Sequence, residues 1–579
     1  MPTIYTMMDI SRWALQASTK QLDTVSHNVA NVNTPGYSRQ ETVLSTREPE
    51  HTMEGWYGHG VQVTSVIQHV DKLLLERITS KATDYSFYDS RLSQLNRLES
   101  LCNEAGDSGL GKELTEFFSA WQDVSNNPES TAVREALRET ANNLVSRLQT
   151  IMNDITQVRR DMDGYISNSV DKVNDTCRRI AELNDKILAS EQSGKPANDF
   201  RDERQRLVED LSQRMNIQWF EDGRGSVTVF TSQGKTLVQD DYPRPDDADP
   251  ISFETVSGYA DKQIVWHRQD TVMGTEEISG GEIGAWLKVR EVDIPAMQDF
   301  LNDLSKNLIG QVNILSSSGV GLDKMTDVTG TYVSSDANMA LNDINNVFAF
   351  KDLLTTGSFD LWSYNNGTRT KTTINVSPSN SLVTLRDNIN SALTAAGVNV
   401  SAEITSDMKL HLSNTDGSTE FAFANDTSHV LAALGINTFF DGYSASGITV
   451  TAKVVEDVRN ICAGRIADNG DHPAGDNSCA LDIADLKDAE IMSGGTQTFN
   501  ESVISWASSL GTDVSTTQDN KNFAETTNNQ LKNLRDNVSS VNLDEEMVKM
   551  IQFQRSYQMA AKLINVADTL LSSLLETVR

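Results

Sequence analysis

The chain has 579 residues, more than one hydrophobic core supports, so several domains of about 100 to 200 residues each are expected. A formal net charge of -32 repels phosphate backbones, which argues against nucleic acid as a partner. No apolar run reaches the roughly 18 residues of a membrane span, and residues 1–13 carry neither a basic n-region nor an apolar h-region. Neither membrane insertion nor a cleaved secretory signal is therefore expected.

The first element is an amphipathic helix. Met8, Leu15, Leu22, Val25, Val29 and Val32 hold a 3-4 heptad spacing, with Ser11 and Ser18 in the remaining seam positions. It stops within Asn33-Thr34-Pro35-Gly36-Tyr37, because Pro35 disfavours helix at Thr34 and Gly36 permits a positive φ. Val61, Val63 and Ser65 then alternate with Gln62, Thr64 and Val66, which predicts a strand or extended arm within residues 58–67. Residues 71–215 read as long helices, broken at residues 106–111, at Asn126-Asn127-Pro128 and at Ser193-Gly194-Lys195-Pro196. Long antiparallel helices of this kind make a rod.

Residues 217–272 change to strand-like alternation around Asp222-Gly223 and Gln233-Gly234, a small β insertion. Helix returns over residues 286–315. Residues 319–455, rich in Thr, Ser, Asn and Gly, predict a second and mainly β insertion, with strands at residues 409–412 and 421–423. Helix resumes near Ala480 and, after a turn at Val541-Asn542, runs to the end. There Met547, Met550, Gln554, Tyr557, Ala561, Ile564, Asp568, Leu571, Leu575 and Val578 keep the heptad spacing, and among them only Gln554 and Asp568 are polar. So narrow a seam has to be covered by another helix, either the opposite terminus or a neighbouring molecule.

The predicted class is a multidomain α+β protein. A terminal α-helical coiled-coil layer comprises residues 1–70 and 541–579, and a long helical rod domain comprises 71–216, 281–318 and 480–540. A small β insertion occupies 217–280, and a larger, mainly β outer insertion occupies 319–479.

Catalytic patterns are missing. Residues 106–113 read GDSGLGKE, close to a phosphate loop, but Glu113 replaces the hydroxyl that holds magnesium, and the segment before it is helical rather than a strand. No HExxH or GxSxG occurs, and His51, His59 and His69 match no ligand spacing. Cys102, Cys177, Cys462 and Cys479 are too few for a disulfide framework, so free thiols are expected. Cys462, His472 and Cys479 lack the paired spacing of a zinc site. No enzyme activity, cofactor or metal is expected.

The ends carry a family signature. Residues 17–40 read ASTKQLDTVSHNVANVNTPGYSRQ, which resembles the N-terminus of the flagellar rod, hook and hook-associated axial proteins; Asn28, Asn31, Thr34, Pro35, Gly36 and Tyr37 carry the motif. Residues 541–561 read VNLDEEMVKMIQFQRSYQMAA, with Asn542, Leu543, Asp544, Glu545 and Glu546 as the motif, and resemble the hook-filament junction members more closely than flagellin. FFSAWQ at 117–122, AELN at 181–184 and LGINTFFDG at 434–442 resemble internal landmarks of the same family. Ser540 stands where the family often has Gly, and the four cysteines depart from its usual composition.

The resemblance implies a structural subunit of the extracellular flagellum at the hook-filament junction, secreted without a cleaved signal. It implies export of the unfolded chain by the type III apparatus, then assembly into a ring of about eleven copies of itself. Hook protein and a second hook-associated junction protein are the implied neighbours. Leu15, Leu22, Val25, Val29, Val32, Met547, Met550, Tyr557, Ala561, Ile564, Leu571, Leu575 and Val578 are the expected assembly residues. An export chaperone is expected on Ile551, Phe553, Tyr557, Ile564, Leu571 and Leu575, since a free apolar stripe self-associates. The alternatives are another axial component, such as hook protein or a flagellin-like chain, and a cell-wall hydrolase, for which no catalytic module is found.

Overall fold

A computed structural model describes residues 4–52, 55–102, 109–192 and 194–578. The chain forms two compact units, Met1–Gln94 with Asp161–Arg290 and Ser515–Arg579, and Leu95–Arg160 with Glu291–Val514. Among the described residues no helix is long and apolar enough to cross a membrane.

The first unit opens with helix α1, Ile4–Ala30, followed by strands β1 (Gln40–Thr46), β2 (Glu50–Thr52), β3 (Gly55–Tyr57) and β4 (Val61–Gln68). β1 and β4 pair antiparallel from Gln40↔Gln68 to Thr46↔Val61, with an irregularity at Val43/Leu44. The extended segment predicted at 58–67 is thus one half of a β ribbon. Helix α2 (Lys72–Cys102) follows, then α3 (Leu110–Asn126), α4 (Thr131–Glu191) and α5 (Asn198–Arg214). The breaks after α3 and after α4 fall where Pro128 and Pro196 remove a helical donor. Residues 106–108, the start of the phosphate-loop-like segment, lie outside the described residues, and Lys112 is paired with Glu116 on α3.

Strands β5 (Ile217–Glu221), β6 (Val227–Thr231) and β7 (Thr236–Val238) form one antiparallel sheet, and β8 (Ile251–Thr255), β9 (Lys262–Trp266) and β10 (Thr271–Met273) another. Turn chemistry sets the first hairpin: Asp222 Oδ1 accepts from the backbone of Arg224 and Ser226, and Gly225 takes a positive φ. The inward faces of these strands, with Val227, Val229, Ile251 and Ile264, share a core with Ile166, Val173 and Ile180 of α4 and with Val208 and Leu211 of α5. Helix α6 (Gly281–Lys288) closes that core with Ile283 and Leu287. The continuous helix expected over 286–315 is instead α6, a π-helical turn at Val289–Asp293 and α7 (Ile294–Ser317). Pro295 gives the reason, because it has no N–H to continue the ordinary ladder.

In the second unit two family landmarks meet. Phe117 and Trp121 of α3 lie 5.5 Å and 5.1 Å, centroid to centroid, from Phe440 and Phe439 respectively. Asn313 of α7 holds those two residues by accepting from both backbone N–H groups. Strand β11 (Asp327–Thr329) pairs with β15 (Leu410–Asn414), which pairs in turn with β14 (Val400–Ile404), and β12 (Gly357–Asn365) lies between β13 (Thr368–Val376) and β16 (Glu420–Ala424). Helix α8 (Leu382–Ala395) leads into β14 (Val400–Ile404) and β15 (Leu410–Asn414), and its Asn390 bonds both backbone groups of Ala402. Helix α9 (Val430–Leu434) ends at Gly435 with φ 71. Short strands β17 (Phe440–Asp441) and β18 (Thr449–Val450), then α10 (Ala452–Glu456) and α11 (Ser478–Asp485), complete the insertion. The chain finishes in α12 (Phe499–Ser539) and α13 (Leu543–Val578), separated at the predicted turn.

Candidate functional site

The ends of the chain pack on each other. Helix α1 lies against α13 and against the β1–β4 ribbon. A helix with two neighbours needs two covered flanks, and α1 has them: Ser11, Ser18 and Val25 repeat at heptad spacing, as do Ala17 and Thr24. Thr24 Oγ1 lies 2.9 Å from Thr42 Oγ1 of the ribbon. Leu15, Leu22, Val29 and Val32 are half-buried beside these lines. Of the two partners left open for the terminal seams, the opposite terminus is therefore one.

The end of α1 meets the start of α13 through Asn28, whose carboxamide is saturated. Its Nδ2 donates to Gln40 O and to Glu546 Oε2, both at 2.9 Å. Its Oδ1 accepts from Tyr37 Oη at 2.8 Å and from Gln40 N at 3.0 Å. Two donors and two acceptor sites are all that the group possesses. Glu546, only 1% exposed, is held on its other oxygen by Lys549 at 2.8 Å and sits in the first turns of α13, where the helix dipole favours a negative charge. Asn542 caps that helix, accepting from Asp544 N at 3.0 Å. Asp544 and Glu545 fill the first turn, Glu545 reaches Arg39 at 3.3 Å, and Leu543 is exposed.

The turn between α1 and β1 is shaped to place Tyr37. Asn31 caps α1 by donating to His27 O, and Thr34 Oγ1 donates to Asn31 Oδ1. Pro35 is exposed at the bend. Gly36 has φ 74, and a Cβ there would stand 2.6 Å from Arg206 Cγ and Cδ, so both conformation and space require glycine. Beyond it, Ser38 donates from N and Oγ to Asp202 at 2.9 and 2.7 Å, Gln40 Nε2 donates to Asp199, and Arg39 N donates to Ser539 O at the end of α12. A cleft of about 500 Å³ lies alongside, lined in part by Tyr37, Arg204, Arg206 and Arg535.

Electrostatics follow from this crowding. Burial is the main cause that pushes the Asp202 carboxyl up to about 6, with Asp199 adding to it and the two Ser38 bonds and Arg206 opposing. Burial, then Asp199, Asp202 and Glu546, push the Tyr37 phenol far above its ordinary range. Asp199, Asp202, Arg206, Ser38 and Ser539 have no place in the predicted site. An acidic, basic segment such as DFRDERQRL carries no pattern that separates a buried carboxylate from a solvated one.

The C-terminal stripe divides in two. Glu546, Met550, Phe553, Ala560, Ile564, Ala567 and Leu571 are covered wholly or in part, whereas Met547, Tyr557 and Leu575 are exposed. Ala561 is half-buried, and the side chain of Val578 lies outside the described residues. Half of the predicted seam is therefore displaced by one residue, from 547, 554, 561 and 568 to 546, 553, 560 and 567. Small alanines permit close helix approach, and Gln554 and Asp568 fall outside the covered line. Beside it runs a second apolar line of Ile551, Met559, Leu563, Val566 and Leu570, all exposed.

The remaining candidates are dispersed. His59 pairs with Glu50, His69 with Glu41, and His51 stacks edge-on against Trp56. His472 bonds Gly321 O. Among the described residues no group of three or more His, Cys, Asp or Glu is placed to hold a metal ion.

Comparison with known proteins selects the same segments. The family described as flagellar hook-associated protein FlgK helical domain matches residues 95–330. A flagella basal body rod protein family matches residues 8–37, and the C-terminal family of flagellar basal body rod FlgEFG proteins matches 536–577. The chain is similar to flagellar hook-associated protein 1 of Escherichia coli, at 24% identity over 97% of each chain, and to that of Bacillus subtilis, at 23% over 99% of this chain and 98% of the relative. Its fold is similar to the flagellar hook junction protein FlgK from Burkholderia pseudomallei, with TM-score 0.54 and 15% identity over 81% of this chain and all of that one. Asn28 and Glu546, which join the two ends, belong to the two segments matched by the rod-type families.

Proposed function

We propose that this chain, which belongs to the flagellar hook-associated protein 1 family, is a structural subunit of the junction between hook and filament. The observation that carries the proposal is the joining of both terminal motifs by Asn28 and Glu546, with a second apolar line of α13 left facing outward. A monomer seldom leaves such a line on a terminal helix unless another chain covers it. The family is one of flagellar structural proteins rather than enzymes, and its rod and hook relatives make other flagellar components the natural neighbours.

Residues 1–70 and 541–579 then form the assembly layer, 71–216, 281–318 and 480–540 the rod, and 217–280 and 319–479 the outward modules. Neighbouring copies in a ring of about eleven cover the outer line of α13, with hook protein on one side and a second hook-associated protein on the other. The chain leaves the cell unfolded through the type III apparatus without losing a signal segment. Before export a chaperone holds Ile551, Phe553, Tyr557, Ile564, Leu571 and Leu575; Phe553, Ile564 and Leu571 are half-buried once α13 is folded, so it grips the unpacked helix. Cells lacking the chain should make hooks that end bare and release flagellin into the medium. Filaments of normal number on such cells would overturn the proposal.

A further inference from the structure

The second unit contains a pair of thiols that assembly does not use. Cys462 and Cys479 are both buried, and the backbone beside them is joined, Ala480 N donating to Ala463 O at 2.9 Å. Gly319 lies between them: a Cβ there would stand 2.8 Å from Cys462 Cβ and 2.8 Å from Cys479 Sγ. Those two atoms are thus within twice that distance of one another, which makes the two cysteines neighbours in the core. Any larger residue at 319 would collide with both cysteine side chains.

The surroundings of Cys462 are cationic. Arg134 is buried, and its hydrogen bonds among the described residues end on the carbonyls of Pro128 and of Ile461, the neighbour of Cys462. Lys453 is half-buried; burial lowers its ammonium, and Cys462 and Asp327 partly offset the effect. Cations beside a thiol favour its thiolate. Burial raises both thiols; at Cys462 it is opposed by Lys453, the Asn437 amide and Arg134, whereas at Cys479 only Arg465 opposes it, and Cys462, Asp482 and Asp476 add to the rise. Cys462 is therefore the better nucleophile of the pair.

We propose that Cys462 and Cys479 form a dithiol that a low-molecular-weight disulfide oxidises to an intramolecular bond as the chain folds outside the cytoplasm. The location rests on the flagellar function above; the closure of the pair does not. The Cys462 thiolate attacks one sulfur of the external disulfide, whose S–S bond breaks and releases a thiolate. The Cys479 thiolate then attacks the Cys462 sulfur of the mixed disulfide and releases the second. Both protons lost by the cysteines pass to the released thiolates, and the external disulfide is reduced by two electrons. Both sulfurs are closed off in the finished core, so the exchange occurs while the segments around Gly319, Asn437, Cys462 and Cys479 are coming together.

Refolding of the reduced full-length chain with glutathione disulfide tests the pair, with thiols counted by a maleimide under denaturing conditions. The count should fall from the four cysteines of the sequence to two, with the Cys462 and Cys479 peptides joined. Four free thiols, or a bond to Cys102 or Cys177, overturns the proposal. The Cys479→Ser chain should trap glutathione on Cys462, while in the Cys462→Ser chain Cys479 should stay a thiol; the reverse pattern overturns the assigned order. Flagella sheared from cells should give the same count of two, and four free thiols there would overturn oxidation outside the cytoplasm. Absence of the chain from those flagella would refute the junction function, while the refolding count would still decide the chemistry of the pair.

Discussion

Asn28 is the residue on which the terminal joint depends. Replacing it by Ala removes four hydrogen bonds and leaves the Glu546 carboxylate with Lys549 alone in a buried site. Losing a hydrogen bond to a buried charged group costs about 1.5 to 3 kcal/mol. Asn28→Ala should lower the urea midpoint followed by a probe on α13 and leave a probe in the second unit where it was. Asp202 gives a prediction with a definite sign. Its folded-state value of about 6 lies above the ordinary 3.8, so the folded chain holds a proton that the unfolded chain has lost between those values. Stability from this group is present below the ordinary value and is lost as pH rises through about 6. Asp202→Asn should match the wild type near the bottom of that window and gain on it by about 2 to 3 kcal/mol above pH 7. Denaturation series at several pH values would show this, and a difference independent of pH would refute it.

At the scale of the element, α13 has an inner line and an outer line, and substitutions on them should fail differently. Ala567 is fully buried and Ala560 nearly so. Ala567→Leu inserts bulk into a close helix contact and should cost about 1 to 3 kcal/mol, seen as loss of α1–α13 pairing in the monomer. Val566 and Leu570 are exposed. Val566→Asp with Leu570→Asp should leave the monomer's melting curve unchanged and abolish junction formation, because each buried Leu or Val in an assembled contact contributes roughly 1.5 to 3 kcal/mol and a buried Asp reverses it. Secreted, folded double variant that still supports normal filaments would show that the outer line makes no assembly contact. The two lines were only half legible in the sequence. Met550, Ile564 and Leu571 stand out by bulk, whereas Ala560 and Ala567 are covered because they are small, and periodicity weighted by size passes over them. The β modules were more legible, since Val227, Val229 and Thr231 alternate around turns whose Asp222 and Gly234 announce themselves. The joint itself was not legible: the motifs pointed to Asn28 and Glu546 separately, and nothing local states that residues 518 positions apart share a hydrogen bond.

That separation sets the order in which the whole molecule forms. Bringing distant segments together costs loop-closure entropy that local helix contacts do not require, so contacts within α4 and α5 or within the hairpins precede the Asn28–Glu546 joint. Until Glu546 arrives, Asn28 has Gln40 and Tyr37 but only water for its remaining N–H, and the flank of α1 that packs on α13 stays in water. An isolated helix whose main apolar support is absent is marginal in solution. A chain ending at Ser540 should therefore keep the second unit intact and lose order at its N-terminus. Amide exchange over Ile4–Ala30 should quicken greatly in that truncated chain, with the amides of Leu110–Asn126 and Ile294–Ser317 protected as before. The full-length monomer should show a graded pattern, slowest in α13 near Glu546 and Ala560 and fastest toward its end. Equal protection of α1 in the truncated and complete chains would mean that the β1–β4 ribbon alone supports the helix. The two ends would then fold independently, and the joint would contribute to assembly without organising the monomer.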